Sequence, residues 1–187
     1  MLILIIVGSN WRGSDYSDYE SAYDNKEEPS NITTSADASS YLGTVDGLTY
    51  YPENTMDDDY STAWVEGVDG NGEGEWLMVP SGESEGIIAV RIVNGYQKSE
   101  DIYYKNNRVK EAELIFDDGT SELVTLRDEY GKSQVVILSE EKHSASITLR
   151  IKSVYTGSEW QDTCVTELGV AYAAAGPNVL VLHSEPY

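Results

Sequence analysis

The amino-acid sequence predicts an all-β fold, an antiparallel β-sandwich of seven or eight strands. Short apolar stretches recur from residue 41 onward, and turn-forming Gly, Asp and Asn residues separate them. Apolar residues alternate with other residues inside these stretches, as Ile88, Val90 and Ile92 do, and this is the period of a strand with one buried face. No stretch shows a convincing helical repeat. Strands without interleaved helices favour an antiparallel sandwich.

The predicted strands follow one another through most of the chain. They cover residues 75–80, 86–93, 109–116, 122–126, 135–138, 146–154 and 165–172. Asp117-Asp118-Gly119 predicts a hairpin turn, because Gly supplies the positive φ that a tight turn needs. Gly176-Pro177 ends any strand before it. Residues 179–182 then either add an edge strand or pack against a neighbour.

The N-terminal region has a different composition. Residues 1–7 are apolar but too few to span a bilayer, which takes about 20, and they lack the basic region and cleavage site of a complete signal peptide. They are a buried strand or, as we favour, the outer end of an anchor that begins earlier. Residues 11–40 are rich in Ser, Asp, Glu and Tyr and indicate an extended or disordered acidic linker. We therefore divide the chain into a start and linker (1–39), a sandwich (40–172) and a tail (173–187).

Composition excludes several functions. The 187 residues include 12 basic and 33 acidic ones, a net charge of −21, which disfavours nucleic acid and anionic membranes as partners. Cys164 is the only cysteine, so an intramolecular disulfide, a thiolate zinc cluster and a CxxC pair cannot form. No turn motif of a triad nucleophile is present. Chance pairs of carboxylates are expected at this acidity, and we predict a protein that is not an enzyme.

Three polar and aromatic clusters stand at the ends of predicted strands. They occupy residues 57–76, 94–108 and 155–167. A sandwich presents its loops at strand ends, and loops on a rigid scaffold usually carry binding groups. With 14 Tyr and 4 Trp against 1 Phe, most aromatic side chains carry a polar group, which suits stacking on polar, ring-shaped ligands.

The clusters contain motifs in a characteristic order. They are Asp57 with Thr62-Ala63-Trp64, Gly72-Glu73-Gly74-Glu75-Trp76, Asn94-Gly95-Tyr96, Asn106-Asn107-Arg108-Val109-Lys110 and Asp162-Thr163-Cys164-Val165-Thr166-Glu167. Across residues 40–172 the chain resembles discoidin, or coagulation-factor type C, domains, and it looks closest to the bacterial branch named after the glycan-binding domain of secreted NAD glycohydrolases.

The resemblance implies an eight-stranded jelly roll with the galactose-binding-like fold. Such a domain binds carbohydrate or mediates attachment and has no catalytic activity of its own. Related chains often lie outside a bacterial membrane beyond a linker, so we expect an extracytoplasmic protein, secreted or membrane-anchored. The terminal disulfide of animal type C domains and their apolar lipid-binding spikes are not recognisable in the sequence, which argues against a lipid-binding role.

The acidic residues near position 58 suit a hard cation, because Ca²⁺ takes six to eight oxygen ligands. The alternative is a solvated acidic turn in which Asp57 or Asp58 caps the backbone. The resemblance implies a structural Ca²⁺ held by one Asp, a loop carbonyl, a Thr and a Glu. The corresponding residues of this chain are Asp57, Asp59, Thr62 and Glu167.

A sugar site needs an aromatic face surrounded by hydrogen-bonding groups. The candidate aromatic faces are Tyr96, Tyr103, Tyr104, Tyr155 and Trp160. The candidate polar partners are Glu66, Asn94, Asn106, Asn107, Arg108 and Asp162. The same polar groups could instead join loops to one another through backbone hydrogen bonds.

Two functions remain open at this point. The first is a non-catalytic carbohydrate-binding or attachment module whose partner is a glycan or glycoconjugate. The second is a structural, assembly or adhesion protein that self-associates through the N-terminal linker or the C-terminal tail.

Overall fold

A computed structural model describes residues 35–82 and 86–173, together with the backbone of residues 180–182. The predicted anchor remnant and most of the predicted linker and tail lie outside these residues. Ten strands are present in the described part: β1 (Asp37–Ala38), β2 (Trp64–Val65), β3 (Trp76–Pro80), β4 (Ile87–Asn94), β5 (Asn107–Phe116), β6 (Ser121–Thr125), β7 (Ser133–Lys142), β8 (Ser146–Tyr155), β9 (Thr163–Ala173) and β10 (Leu180–Leu182).

The strands form two layers, as the alternating sequence pattern predicts. One layer has the order β1-β3-β8-β5-β6, and the other has β7-β4-β9, with β2 and β10 also paired to β9. Every pairing is antiparallel except a short parallel one between β5 and β9, where Asn107 faces Thr163 and Arg108 faces Cys164. This contact joins the two layers at one end. The predicted antiparallel sandwich is confirmed, with all seven predicted strands present and three short ones added.

The core lies between the layers and is made by the alternating positions. Ile92 of β4, Leu114 of β5 and Leu149 of β8 are fully buried in it, and the last two face each other in register. Burying one such side chain stabilises a fold by about 1.5–3 kcal/mol, so strand alternation dictates which face turns inward. Trp64 is also fully buried there, and its indole N–H donates to the carbonyl of Ser40 at 2.9 Å.

One helix was missed by the sequence pattern. It is α1 (Glu100–Lys105), which precedes β5, and a four-residue 3₁₀ turn (Pro52–Thr55) lies earlier in the chain. The Ser99 hydroxyl caps α1 by accepting a hydrogen bond from the Ile102 N–H at 3.2 Å. Acidic residues in its first turn and Lys105 in its last complement the helix dipole. Six residues are too few to show a helical repeat.

The C-terminal tail contributes one strand. Leu180–Leu182 pairs antiparallel with Ala171 to Ala173 at the end of β9, so the structure has the edge strand that was one of the two alternatives for this region. None of the helices in residues 35–82 and 86–173 is long and apolar enough to cross a membrane.

Candidate functional site

The three sequence clusters meet at the end of the sandwich where β5 and β9 run parallel. We call this end the loop pole and define it by residues 66–75, 95–108 and 156–162. Backbone hydrogen bonds join its loops: Glu66 N–H donates to the Thr163 carbonyl at 3.2 Å, and Gly95 N–H donates to the Cys164 carbonyl at 3.1 Å. Each loop is thereby attached to the first residues of β9.

Asn107 is the centre of the loop pole. Its fully buried amide group donates to Asn71 Oδ1 at 3.1 Å and to the Gln161 carbonyl at 2.6 Å. Its Oδ1 accepts from the Gly157 N–H at 2.7 Å. One side chain thus contacts two of the loops that define the pole, and both donors and the acceptor of its amide are used.

Glu66 is fully buried under the loop that follows β2. Its two carboxylate oxygens accept hydrogen bonds from the Val68 N–H at 2.8 Å and the Thr163 N–H at 3.1 Å. Burial raises the pKa of Glu66, and these two hydrogen bonds oppose the rise. Gly72 lies directly over this carboxyl group, because a Cβ at Gly72 would stand 2.6 Å from Glu66 Cγ.

Arg108 makes the shortest ion pair of the loop pole, with Asp128. Its guanidinium binds Asp128 through Nε at 3.0 Å and Nη2 at 2.6 Å, and Nη1 donates to the Asn106 carbonyl at 2.9 Å. The hydroxyl of fully buried Tyr103 donates to the same Asp128 at 3.0 Å. Burial and the nearby Asp128 carboxylate raise the pKa of Tyr103, so it stays a neutral donor. Asp128 has no motif in the sequence that marks it.

Several predicted sugar contacts have hydrogen-bond partners within the chain. Asn94 is fully buried, and Asn106 and Tyr96 nearly so, while Tyr155 is half-buried. Burial raises the pKa of Tyr96 to about 12. The observed side-chain bonds join Asn94 to Val109, Tyr96 to Ser61, Asn106 to Ile102 and Tyr155 to Leu126. In this structure these groups hold loops to strands.

Two predicted aromatic rings are exposed at the loop pole. Tyr104 is 41% exposed and Trp160 is 38% exposed, and we call the pair the aromatic surface. Their backbones are neighbours, because the Ser158 N–H donates to the Tyr104 carbonyl and the Trp160 N–H donates to the Lys105 carbonyl. Half-buried Asp162 follows Trp160 by two residues.

A cation lies over each ring of the aromatic surface. The Arg108 guanidinium carbon is 5.5 Å from the Tyr104 ring centre, and Lys105 Nζ is 5.6 Å from the Trp160 ring centre. Lys105 is held in turn by Asp101 at 2.9 Å and Glu159 at 3.4 Å. These contacts fix both rings against the fold.

The predicted cation ligands form a second group beside this pole, which contacts it where the Tyr96 hydroxyl donates to the Ser61 carbonyl at 3.0 Å. We call residues 57–62 the acidic loop. Thr62 Oγ1 lies 2.8 Å from Asp57 Oδ2 and 2.9 Å from the Asp59 carbonyl oxygen. A hydroxyl has one proton, so it can donate to only one of these two oxygens. The Asp59 carbonyl also accepts from the Thr62 N–H at 3.0 Å.

Glu167 lies next to the acidic loop. It is on β9, is 3% exposed, and its Oε1 has no hydrogen-bond partner among the described residues. Burial raises the pKa of Glu167 to about 8; the charge of Arg91 opposes the rise, and the charges of Asp58 and Asp57 add to it. The structure therefore brings all four predicted ligands into one neighbourhood. Within residues 35–82 and 86–173, no three Asp, Glu, His or Cys side chains form a metal-binding group.

Arg91 is a residue that the sequence did not single out. Its Nη2 lies 3.1 Å from Asp58 Oδ1, beside the acidic loop. Asp58 itself has a φ of 55°, in the left-handed region that Asp tolerates better than most residues.

Comparison with known proteins agrees with this geometry. The family model described as the NAD glycohydrolase translocation F5/8 type C domain matches residues 27–171. No curated protein matches the chain.

Solved structures match at low sequence identity. The family 32 CBM from C. perfringens NanJ, in complex with galactose, has a TM-score of 0.55 at 17% identity and covers 73% of this chain and 91% of its own. CBM32 of AlyQ, in complex with 4,5-unsaturated mannuronic acid, has a TM-score of 0.55 at 16% identity, with 74% and 95% covered. The arabinofuranosyltransferase AftD from Mycobacteria has a TM-score of 0.57 at 15% identity over 79% of this chain, which spans only 11% of that protein. At these identities the matches show a common fold.

Proposed function

We propose that this chain, which belongs to the NAD glycohydrolase translocation F5/8 type C domain family, is a glycan-binding module. The family match confirms the resemblance found in the sequence. The F5/8 type C domain is a non-catalytic module. We extend this to the whole protein and infer that it has no enzymatic activity. The family description also supports our inference that the protein is extracytoplasmic, either secreted or anchored near its N-terminus.

The observation that carries the proposal is the aromatic surface. An exposed indole and an exposed phenol project from neighbouring backbone at the loop pole, each against a fixed cation. A sugar ring presents an apolar C–H face that stacks on such rings, and its hydroxyls require planar polar groups nearby. Asp162 and Glu159 lie beside Trp160 in the chain and supply acceptors. Preorganised rings lose little freedom on binding, which favours affinity.

The matched structures support a glycan rather than another ligand class. Two of them are named as carbohydrate-binding modules and contain galactose or unsaturated mannuronic acid. The chain's net charge of −21 agrees with a ligand that is not a nucleic acid. Glu66, Asn94, Asn106 and Arg108 support the loops from within, so in our proposal they position the surface that the sugar contacts.

The binding test uses the full chain and a glycan array, with and without CaCl₂. We expect binding to at least one glycan and a loss of at least tenfold in the Trp160→Ala variant. Leu123→Ala is the matched control, because Leu123 is an exposed apolar side chain on β6 at 67% exposure and should leave binding unchanged. No binding to any glycan, or equal losses in both variants, would contradict the proposal.

An assembly or adhesion role is the alternative, and one surface favours it. Val135 and Ile137 are 40% and 59% exposed on β7, which is an edge strand of its layer. Exposed apolar side chains on an edge strand favour contacts with another chain. The molar mass of the full chain in solution, compared with that of chains lacking residues 1–34 or 183–187, separates the two functions. Self-association through the linker or tail predicts an oligomer that a deletion abolishes, self-association through the β7 edge predicts one that both deletions leave intact, and a monomer in all three cases contradicts the assembly role.

We further propose that the acidic loop binds a structural Ca²⁺. Oxygens of Asp57 and Asp59 lie within 2.9 Å of Thr62 Oγ1, and the buried Glu167 Oε1 has no hydrogen-bond partner in the described part of the chain. The donors comprise two carboxylates, a hydroxyl and a carbonyl, a set that suits a hard oxygen-seeking ion. A bound ion would neutralise Glu167 and attach the acidic loop to β9. We expect CaCl₂ to raise the Tm of the wild type and to leave that of Glu167→Gln unchanged.

A further inference from the structure

Arg91 lies beside the acidic loop, in the same layer as Glu167. It is on β4, opposite Gly169 of β9 in register, while Glu167 of β9 is opposite Val93. Alternate residues of a strand share a face, so Arg91 and Glu167 project from the same side of the sheet. The Arg91 side chain is only 20% exposed, which keeps its charge close to the carboxylates around it.

Arg91 contacts one carboxylate of this region directly and acts electrostatically on a second. Its Nη2 is 3.1 Å from Asp58 Oδ1. Glu167 lies on the same side of the sheet, two residues along β9 from the residue opposite Arg91. A single guanidinium therefore supplies positive charge to the same group of acidic residues that our proposed ion would neutralise.

Arg91 also controls where the Asp58 carboxylate lies. Asp58 has a left-handed backbone, with a φ of 55°, and its carboxylate is paired with Arg91. The hydrogen bonds within the acidic loop involve Asp57, Asp59 and Thr62. The Asp58 carboxylate is thus engaged by Arg91, and Asp58 lies between two of the proposed ligands in sequence.

We propose that Arg91 is an internal counter-cation that competes with a divalent ion for the acidic loop and weakens its binding. This inference rests on the proposed Ca²⁺ site. The positive charge of Arg91, several ångströms from the ion, repels it. At an effective dielectric constant between that of a protein surface and that of water, this repulsion lowers the Ca²⁺ affinity by about tenfold or more. Withholding the Asp58 carboxylate reduces the affinity further, because ligand charge tunes Ca²⁺ affinity.

The consequence is a site that fills only where Ca²⁺ is plentiful. Extracellular Ca²⁺ modules bind with dissociation constants of about 10⁻⁴–10⁻³ M. Weakened binding of this order agrees with the extracytoplasmic location that we propose. Without the ion, the Arg91–Asp58 pair still connects the acidic loop to β4.

The test is calorimetric titration of the full chain with CaCl₂ at pH 9, where acidic side chains are ionised. We expect weak binding by the wild type and about tenfold tighter binding by Arg91→Met. Arg91→Lys keeps the charge and should bind as the wild type does. Arg127→Met is the matched control, because Arg127 pairs with Glu129 on the exposed loop after β6 and its removal should change the affinity less than twofold.

The outcomes separate the inference from the site on which it rests. Binding by the wild type with equal or weaker binding by Arg91→Met would overturn the role of Arg91 and leave the site standing. Binding by neither protein would overturn the site itself, and with it the inference. Binding by Arg91→Met alone supports both. If Arg91→Met is unfolded in EDTA by circular dichroism, Arg91→Gln replaces it, since it also removes the charge and retains a donor for Asp58.

Discussion

The loop pole and the acidic loop are both polar, and the sequence marks both as binding regions, but their hydrogen bonding differs. In the loop pole, Asn107, Glu66 and Arg108 have buried polar atoms that are paired with other groups of the chain. Beside the acidic loop, buried Glu167 Oε1 has no hydrogen-bond partner among the residues that the structure describes.

This difference separates polar groups that support the fold from polar groups that are available to a ligand. Buried polar groups that satisfy one another stabilise a fold and leave nothing for a ligand. The Glu167 carboxyl group receives a backbone hydrogen bond from Asp58, but its buried Oε1 has no partner in the described part of the chain, which is costly when the group is charged. In the loop pole we therefore assign binding to the exposed rings, and in the acidic loop to the oxygens themselves.

The largest effect is expected from breaking the loop pole network. Arg108→Met should destabilise the fold by about 3–5 kcal/mol, because it leaves Asp128 and the carbonyl groups around Arg108 without their main donor. Urea unfolding gives the value. Arg127→Met removes an exposed pair and should cost less than about 0.5 kcal/mol. Similar values for the two variants would show that the Arg108 network is not structural.

The next effect concerns Glu167, whose Oε1 has no hydrogen-bond partner among the described residues. The folded chain holds the Glu167 proton more tightly than the unfolded chain, since its pKa is raised from 4.5 to about 8. This stabilising contribution is complete below about pH 4.5 and is lost as the pH rises through 8. In EDTA at pH 9, Glu167→Gln should therefore be more stable than the wild type by roughly 2–4 kcal/mol. A difference in Tm between Glu167→Gln and the wild type that stays constant from pH 4 to pH 9 would contradict the raised pKa of Glu167.

A tight backbone contact gives a comparable or slightly smaller effect. A Cβ at Gly157 would overlap the carbonyl oxygen of Lys105, so Gly157→Ala must move the loop before β9 away from α1. We expect a loss of about 2–3 kcal/mol in urea unfolding. Gly43→Ala, at a position with open space around it, is the control and should be nearly neutral. Equal stabilities of Gly157→Ala and Gly43→Ala would mean that the loop before β9 is not packed against the end of α1.

The smallest effect on stability is expected at the aromatic surface. Trp160 contacts Lys105 and solvent, so Trp160→Ala should cost less than about 1 kcal/mol in stability although we expect it to weaken glycan binding at least tenfold. Thermal unfolding measures this directly. A loss as large as that of Arg108→Met would show that Trp160 is part of the supporting network.

The sequence predicted the fold almost completely because strand alternation is a local signal. All seven predicted strands formed, and the Asp118-Gly119 turn has the expected positive φ of 79° at Gly119. Helix α1 was missed because six residues carry no repeat, although Ser99 before Glu100 and Asp101 is an N-terminal capping pattern.

The site was predicted only in part, since side-chain partners depend on distant loops. The sequence marked Asn107, but its partner Gln161 is 54 residues away, and nothing local shows that the amide bonds to that loop. Asp128 and Arg91 were missed for the same reason, because each acts through a carboxylate–guanidinium pair formed across the fold. The exposed positions of Tyr104 and Trp160 likewise follow from how α1 and the loop before β9 pack.

Chemical-shift mapping of the isotopically labelled full chain, titrated with its tightest-binding glycan, tests the proposed function most directly. The account predicts that the largest changes occur at the amides of residues 104–105 and 158–162 and at the Trp160 indole N–H. Changes confined to the outer faces of the two layers, with the Trp160 signal unmoved at saturation, would contradict it.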